Sequence, residues 1–353
     1  VESCIELLKE LILVQSVDQN GANTLIDYCK KWLTERGLTC HIIENAGYKS
    51  LITTIGSGPK TLILNGHLDV VNGSHHQFSP HVIDDNLYGR GAADMKAGVA
   101  AIMSIMVELQ NVALSSQVQL QLVTDEETGG NNGSRYLAEN GYRGDFVICA
   151  EPTQLGLGIQ AKGILQLDIE VRGKSAHGSR PWEGENAILK AHDIFQQITQ
   201  LPFCTKKSPL YDSPSINLAK IAAGDVYNKV PDYCLMSLDI RFLPTQDEHE
   251  IIEQIKTVAK HINVHAIGCP VTTLPDNPYV QQLAMMTEEQ TACPSKIFGQ
   301  HGSADTRYFS KYQIPAIEFG PSGANWHGDE EYVEIPSIQK YMAILKQFIA
   351  HFS

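Results

Sequence analysis

The chain lacks any apolar run close to the ~20 residues that a membrane-spanning helix needs, so a span of that kind is not expected. It is also short of basic charge, with 27 Lys and Arg against 40 Asp and Glu and a net charge of −13. Nucleic acids and anionic membranes are held by basic surfaces, so neither is expected as a partner. The eight cysteines, at 4, 29, 40, 149, 204, 234, 269 and 293, form no CxxC pair. Such scatter in a long chain speaks for reduced, mostly buried thiols and a cytoplasmic location, not a disulfide framework. Cys149, inside the apolar run FVICA, reads as core. Repeats, low-complexity tracts and long charge runs are missing too. The first residues, VESCIELLKELIL, are broken by Glu2, Glu6, Lys9 and Glu10, which predicts an amphipathic helix and not a signal peptide. An opening at Val1 without an initiator methionine points to a trimmed or processed chain.

What remains is an ordinary globular composition in 353 residues, more than one hydrophobic core usually organises. Ile5, Leu8 and Ile12 recur at helical spacing, and 22–37 predicts a second helix closed by Gly37. Short strands are predicted at 39–44, 50–55, 61–64, 118–123 and 146–150, with helices at 96–109 and 132–139 between them. That alternation implies a layered α/β sheet. From 164 the pattern changes to strand 164–171, helix 186–201, strands 216–221 and 234–242, and helix 247–261. These elements fit a small α+β unit of the β-α-β-β-α-β type. Alternation then resumes with helix 278–289, strand 314–319 and helix 337–352. The expected organisation is one domain in two pieces, 1–163 and 272–353, interrupted by a smaller domain at 164–271.

The chemistry centres on TLILNGHLDVV, where the apolar run 62–64 ends at Asn65-Gly66 and His67 and Asp69 follow. Alternation along an extended chain puts His67 and Asp69 on one side, so one can bind a metal while the other orients the imidazole. Four further segments carry potential ligands: Asp94 in GRGAADMKAG, the pair Glu126-Glu127, Glu151 in CAEPT, and His327 in GANWHGDEEYVEI. Most follow predicted strands, and in α/β sheets ligands gather outside the carboxyl ends of the strands. Singly, each has a plainer reading: Asp94 as a helix N-cap, Glu127 or Glu151 as a solvated loop acid. Together, two histidines and three carboxylates suit two divalent ions of zinc type, with one carboxylate shared between them. His75-His76, in a polar loop without a matching acid, is assigned to solvent, and Arg90 and Lys96 to support.

The stretches NGHLDVV, LYGRGAADMKAGVAA, VTDEETGG, CAEPT, GKSAHGSRPWEGENAI, KVPDYCLMSLDIRF, HGSADTRYF and GPSGANWHGDEEYVEI occur in this order from 65 to 335. In that order they resemble the M20 metallopeptidases and amidohydrolases. The resemblance implies a zinc-peptidase-like catalytic domain, a central mixed sheet flanked by helices. An inserted ferredoxin-like lid and dimerisation domain goes with it. It also implies that Asp94 bridges two ions, Zn2+ with Co2+ able to substitute. His67 and Glu151 would complete one site, and Glu127 and His327 the other. Glu126 would be the general acid/base and Asp69 the partner of His67. His177, read from the sequence alone as a loop histidine, would reach the partner subunit's site in a homodimer and hold the oxyanion. Asn228 and Arg241 would bind substrate, although a strand arginine is usually a surface charge. Ser303, Arg307 and Asn325 are further substrate contacts on this basis. The implied activity removes an acetyl or succinyl group from a small N-acyl amino acid. In length and motif spacing the chain resembles the family's acetylornithine deacetylase and succinyl-diaminopimelate desuccinylase branch more than its longer dipeptidases. A dipeptidase or carboxypeptidase acting on short peptides is the alternative, and a non-catalytic binding module is the alternative from another class.

Overall fold

The computed structural model describes residues 2–302 and 304–353. The chain forms two compact units: Val1–Ile159, Thr272–Phe298 and Ala304–Ser353 make the first, and Gln160–Val271 with Gly299–Ser303 the second.

The first unit is built on a mixed sheet in the order Cys40–Asn45, Tyr48–Gly56, Gln117–Val123, Thr61–His67, Phe146–Cys149, Ala316–Glu318. The first three strands pair antiparallel with one another in turn. Thr61–His67 is parallel to both Gln117–Val123 and Phe146–Cys149, and Ala316–Glu318 continues the parallel part. The central strands read as apolar runs because they are covered on both faces. Ile63 and Val147 point to a cluster with Ala138, Phe309 and Ala316, supplied in part by helices Ser134–Glu139 and Thr306–Ser310. On the opposite face, Gly66 lies against Val99 of helix Ala97–Leu109, which is buried from Ala97 to Met106, and Phe146 meets Phe348 of the C-terminal helix Ile335–His351. Alternation of side chains along the strand separates the two layers. Helix Gln19–Thr34 starts where Asp18 accepts the N–H of Gly21 at 2.8 Å.

A second, smaller sheet was not legible in the sequence. It runs Gly323–Ala324, Tyr332–Glu334, Asn86–Tyr88, His81–Ile83, all antiparallel. It joins the segment before Asp94 to the segment around His327.

The second unit is a four-stranded antiparallel sheet in the order Ser215–Ala223, Tyr233–Phe242, Gly163–Arg172, His261–Gly268. Helices Ala187–Ile198 and Glu248–Lys256 close one face over Leu165, Leu167, Ile169, Met236, Ile240 and Phe242. In chain order this is β-α-β-β-α-β, the ferredoxin-like arrangement. A Cβ at Gly163 would run into the Phe242 ring, so the glycine lets the two strands pair at that level. None of the eight cysteines is bridged, and Cys149 is buried beside Asn65. Among the described residues no helix is long and apolar enough to cross a membrane.

Candidate metal centre

Three parallel strands decide where the site lies. His67 is level with Val123, and Asn65 with Cys149, so the chain leaves all three strands at one end of the sheet. Four residues past Val123 is Glu127; two past Cys149 is Glu151. The same edge therefore receives an imidazole and acidic side chains from distant segments.

His67 is only 2% exposed. Its Nδ1 donates to the main-chain oxygen of Asp69 at 2.9 Å, which directs Nε2 toward Oδ1 of Asp94 at 3.2 Å and Oε1 of Glu151 at 3.9 Å. The partner of His67 at this nitrogen is the Asp69 backbone carbonyl, not the side chain expected from strand alternation. The Asp69 carboxylate lies 3.7 Å from Nδ1 and instead accepts the main-chain N–H groups of Glu126 at 3.2 Å and Glu127 at 2.9 Å. The reason is local: the turn Glu126–Thr128 has no side-chain cap of its own, and a buried anion satisfies its first two donors.

Asp94 sits in a non-helical kink (φ −113°, ψ 92°) ahead of helix Ala97–Leu109, and it does not cap that helix. Its second oxygen faces His327 Nε2 at 3.3 Å, and the same nitrogen lies 3.2 Å from Oε1 of Glu127. His327 stands on a tight turn with φ +64°, in which Gly328 N donates to Asn325 O at 2.8 Å. Asp94 thus lies between two imidazoles. His67, Asp94 and Glu127 each offer a ligand atom within 4.8 Å of the others.

The electrostatics favour a cation. Burial works against charge on His67, yet the hydrogen bond to Asp94 and the carboxylates of Glu151, Asp69 and Glu126 hold its proton affinity well above the imidazole range. The bond to Asp94, opposed by burial and helped by Glu127, pushes His327 up to about 9. Burial raises Glu126, Glu127 and Glu151, and the crowded neighbouring carboxylates add to it. Asp94 moves the other way despite its burial, because both histidines bond to it. Oε1 of Glu127 is buried without a well-formed hydrogen bond. Hard and borderline divalent cations take this mixture of imidazole nitrogen and carboxylate oxygen, so the residues fit a metal.

The remaining candidates fall elsewhere. In the second unit His177 is exposed, and its Nδ1 accepts the N–H of Ser179 at 3.1 Å and the Ser179 hydroxyl at 2.8 Å. Asn228 is adjacent, since Gly178 N donates to its main-chain oxygen at 2.7 Å. Arg241 is half-buried on its strand, with Nε 2.6 Å and Nη2 3.1 Å from the Asp239 carboxylate. In the first unit Arg307 donates to Gly129 O at 2.8 Å and lies over the Tyr308 ring. Asn325 is exposed, and its side chain donates to Glu330 O at 3.2 Å. Ser303 lies outside the described residues. His75 and His76 are exposed, as expected.

Two acids escaped the sequence reading. Asp305 is fully buried, takes the Ser134 hydroxyl at 2.6 Å, and burial pushes it up to about 7. Glu331, 2% exposed, accepts N–H groups from the turn that carries Asp94. Its only sequence signal is an apolar alternation, Tyr332–Val333, that begins directly after it.

A mixed α/β sheet that gathers imidazoles and carboxylates at its strand ends, in a chain with an inserted α+β unit, defines a metal-dependent hydrolase. The chain belongs to peptidase family M20/M25/M40, whose family model matches residues 63–351. It is 28% identical over 378 residues to an acetylornithine deacetylase of Shigella sonnei strain Ss046, covering 99% of this chain and 97% of that one. In fold it is similar to aminopeptidase PepT from Bacillus cereus, with a TM-score of 0.85 at 18% identity over 99% and 98% of the two chains. It is also similar to the M20 family metallo-carboxypeptidase Sso-CP2 from Sulfolobus solfataricus, with a TM-score of 0.81 at 18% identity over 99% of each.

Proposed function

We propose that this hydrolase is a binuclear-metal amidohydrolase that removes an acetyl or succinyl group from an N-acyl amino acid. His67, Asp94 and Glu151 hold one divalent ion, and Asp94, Glu127 and His327 the other, Zn2+ being the natural occupant and Co2+ a substitute. The bound pair supplies Lewis-acid charge for the scissile carbonyl and for water. Glu126, free of the ligand set and made less acidic by burial, takes a proton from the attacking water and passes it to the leaving amine. His177 stabilises the developing oxyanion from the partner subunit. Because its Nδ1 accepts from Ser179, the neutral ring carries its proton on Nε2 and can donate there. Asn228, next to it in the second unit, binds substrate. Arg241 exchanges Asp239 for the substrate carboxylate, and Ser303, Arg307 and Asn325 make further contacts.

The observation that carries the reading is the near-full-length relation to a deacetylase, supported by the approach of His67 and Glu151 to one side of Asp94 and of Glu127 and His327 to the other, with Glu126 in the same turn as Glu127. A homodimer through the lid is part of it. Trp182, Leu189, Val226 and Tyr227 are strongly exposed there, and Ser215–Ala223 is an edge strand with its outer hydrogen-bonding row unpaired by the unit's own sheet. The unbridged thiols go with a cytoplasmic setting.

The test is a hydrolysis panel with Zn2+ supplied: N-acetylornithine, N-succinyl-diaminopimelate, other N-acyl amino acids, and dipeptides with free amino groups. Highest kcat/KM on an acetyl or succinyl substrate supports the proposal. Faster cleavage of unblocked dipeptides would make the protein a dipeptidase or carboxypeptidase instead, and binding of N-acyl amino acids without turnover would make it a binding module.

A further inference from the structure

Asp94 has to present both carboxylate oxygens, one toward each histidine, from a non-helical kink inside the irregular helical turn Ala92–Lys96. Its main chain needs a partner, because the N–H groups of residues 91–94 open a helix without a side-chain cap. That partner comes from 237 positions away. Oε1 of Glu331 accepts Ala93 N and Asp94 N, each at 3.0 Å. Oε2 accepts Gly91 N at 2.9 Å and Arg90 Nη1 at 2.7 Å. The main-chain oxygen of Glu331 takes Gly89 N at 3.0 Å. Gly91 has φ +77°, a conformation in which glycine is favoured and which turns its N–H into the same cluster.

The cluster also reaches the loop of His327. Arg90 N donates to Gln77 O at 2.8 Å, and Gln77 Nε2 donates to the carbonyls of Gly328 at 3.0 Å and Asp329 at 3.2 Å. Arg90 Nη2 lies 3.5 Å from the His327 carbonyl. One buried carboxylate, one guanidinium and one amide therefore tie together the two segments that carry Asp94 and His327.

We propose that Glu331 is a positioning residue for the metal centre: its carboxylate sets the Asp94 turn so that both Asp94 oxygens face ligand positions. Both Glu331 oxygens are taken by N–H donors, so it acts on the metal only through Asp94 and the His327 loop. The carboxylate is required because four donors converge on it. A glutamine would aim its NH2 group at two N–H donors whichever way it turned. An aspartate, one methylene shorter, cannot reach all four. The proposal rests on the ligand assignment of Asp94.

The test is metal affinity, measured on metal-depleted protein by competition of Zn2+ or Co2+ with a chromophoric chelator. Groups that orient metal ligands typically contribute 10–100-fold to affinity, so Glu331→Gln should weaken binding by about that factor and Glu331→Asp by less. KM at saturating metal should stay near the native value, because the substrate is not touched. Phe348→Leu, a core change in Ile335–His351, serves as the stability control. At an equal loss of melting temperature it should bind metal normally. Native metal affinity in Glu331→Gln, or a loss no larger than that of Phe348→Leu, overturns the proposal. Should Glu331→Gln fail to fold, native affinity in Glu331→Asp overturns it equally. Asp94→Asn separates the two layers of the argument: native affinity there would remove the ligand assignment and the proposal with it.

Discussion

Asp69→Asn isolates one carboxylate whose work is visible in the structure. The buried anion accepts Glu127 N at 2.9 Å and Glu126 N at 3.2 Å, while its backbone carbonyl, which the substitution spares, holds His67. Asparagine keeps one acceptor and turns an NH2 group toward the other N–H. A charge-assisted bond becomes a neutral one, and a buried donor is left unpaired. Hydrogen bonds to charged groups contribute about 1.5–3 kcal/mol, and an unsatisfied buried group costs about 1–3 kcal/mol. The 3.2 Å bond is the longer and weaker of the two, so a net loss of about 2 kcal/mol is the working figure. If the turn carrying Glu126 and Glu127 shifts by that energy in the transition state, kcat/KM falls by about 30-fold. The assay is steady-state hydrolysis at saturating metal beside urea unfolding of the metal-free protein. Wild-type kcat/KM together with unchanged stability would refute the reasoning, because the carboxylate would then not be what holds the glutamate turn.

Three further outcomes are expected. Glu126→Gln should retain metal while kcat drops by about 10²–10⁴, the usual contribution of a general acid/base; single-turnover kinetics with near-native rates would remove Glu126 from that role. His177→Ala should lower kcat by about 10²–10³ with little change in KM, as for loss of an oxyanion donor; a change in KM alone would make it a binding residue. Asp305 is held up to about 7 by burial, against an unfolded value near 3.8. The folded chain therefore keeps a proton that the unfolded chain releases, and stability falls as pH rises from about 4 to 7, by up to about 4 kcal/mol from this group. Asp305→Asn should flatten that part of the profile in urea unfolding of the metal-free protein, and parallel profiles for the two proteins would exclude the effect.

Much of the architecture was legible because it is written at short range. Apolar runs of three to five residues (62–64 and 146–150) and the alternating VQLQLV at 118–123 marked the central strands, and an alternating ILQLDIEV marked the one-sided sheet of the second unit. His67, Glu127 and Glu151 were found by one rule, that acids and imidazoles follow buried parallel strands, and the register of those strands brings them to one edge. Helix ends moved by a few residues, with Gln19–Thr34 starting earlier than predicted because Asp18 supplies the cap.

By itself, then, the sequence determined the two sheets, the order of the strands' chemistry and the inventory of imidazoles and carboxylates, since each depends on neighbours along the chain. Only the tertiary structure decided how Asp94 comes to face His327. The small sheet that joins their segments has strands of two or three residues, too short to leave a period, and Glu331 is one acid among several in GDEEYVEI until its four donors are seen. The division of Asp69 between a carbonyl for His67 and a carboxylate for the glutamate turn was likewise invisible. A residue's identity fixes which bonds it can make, but which of them form depends on donors that distant segments bring into reach.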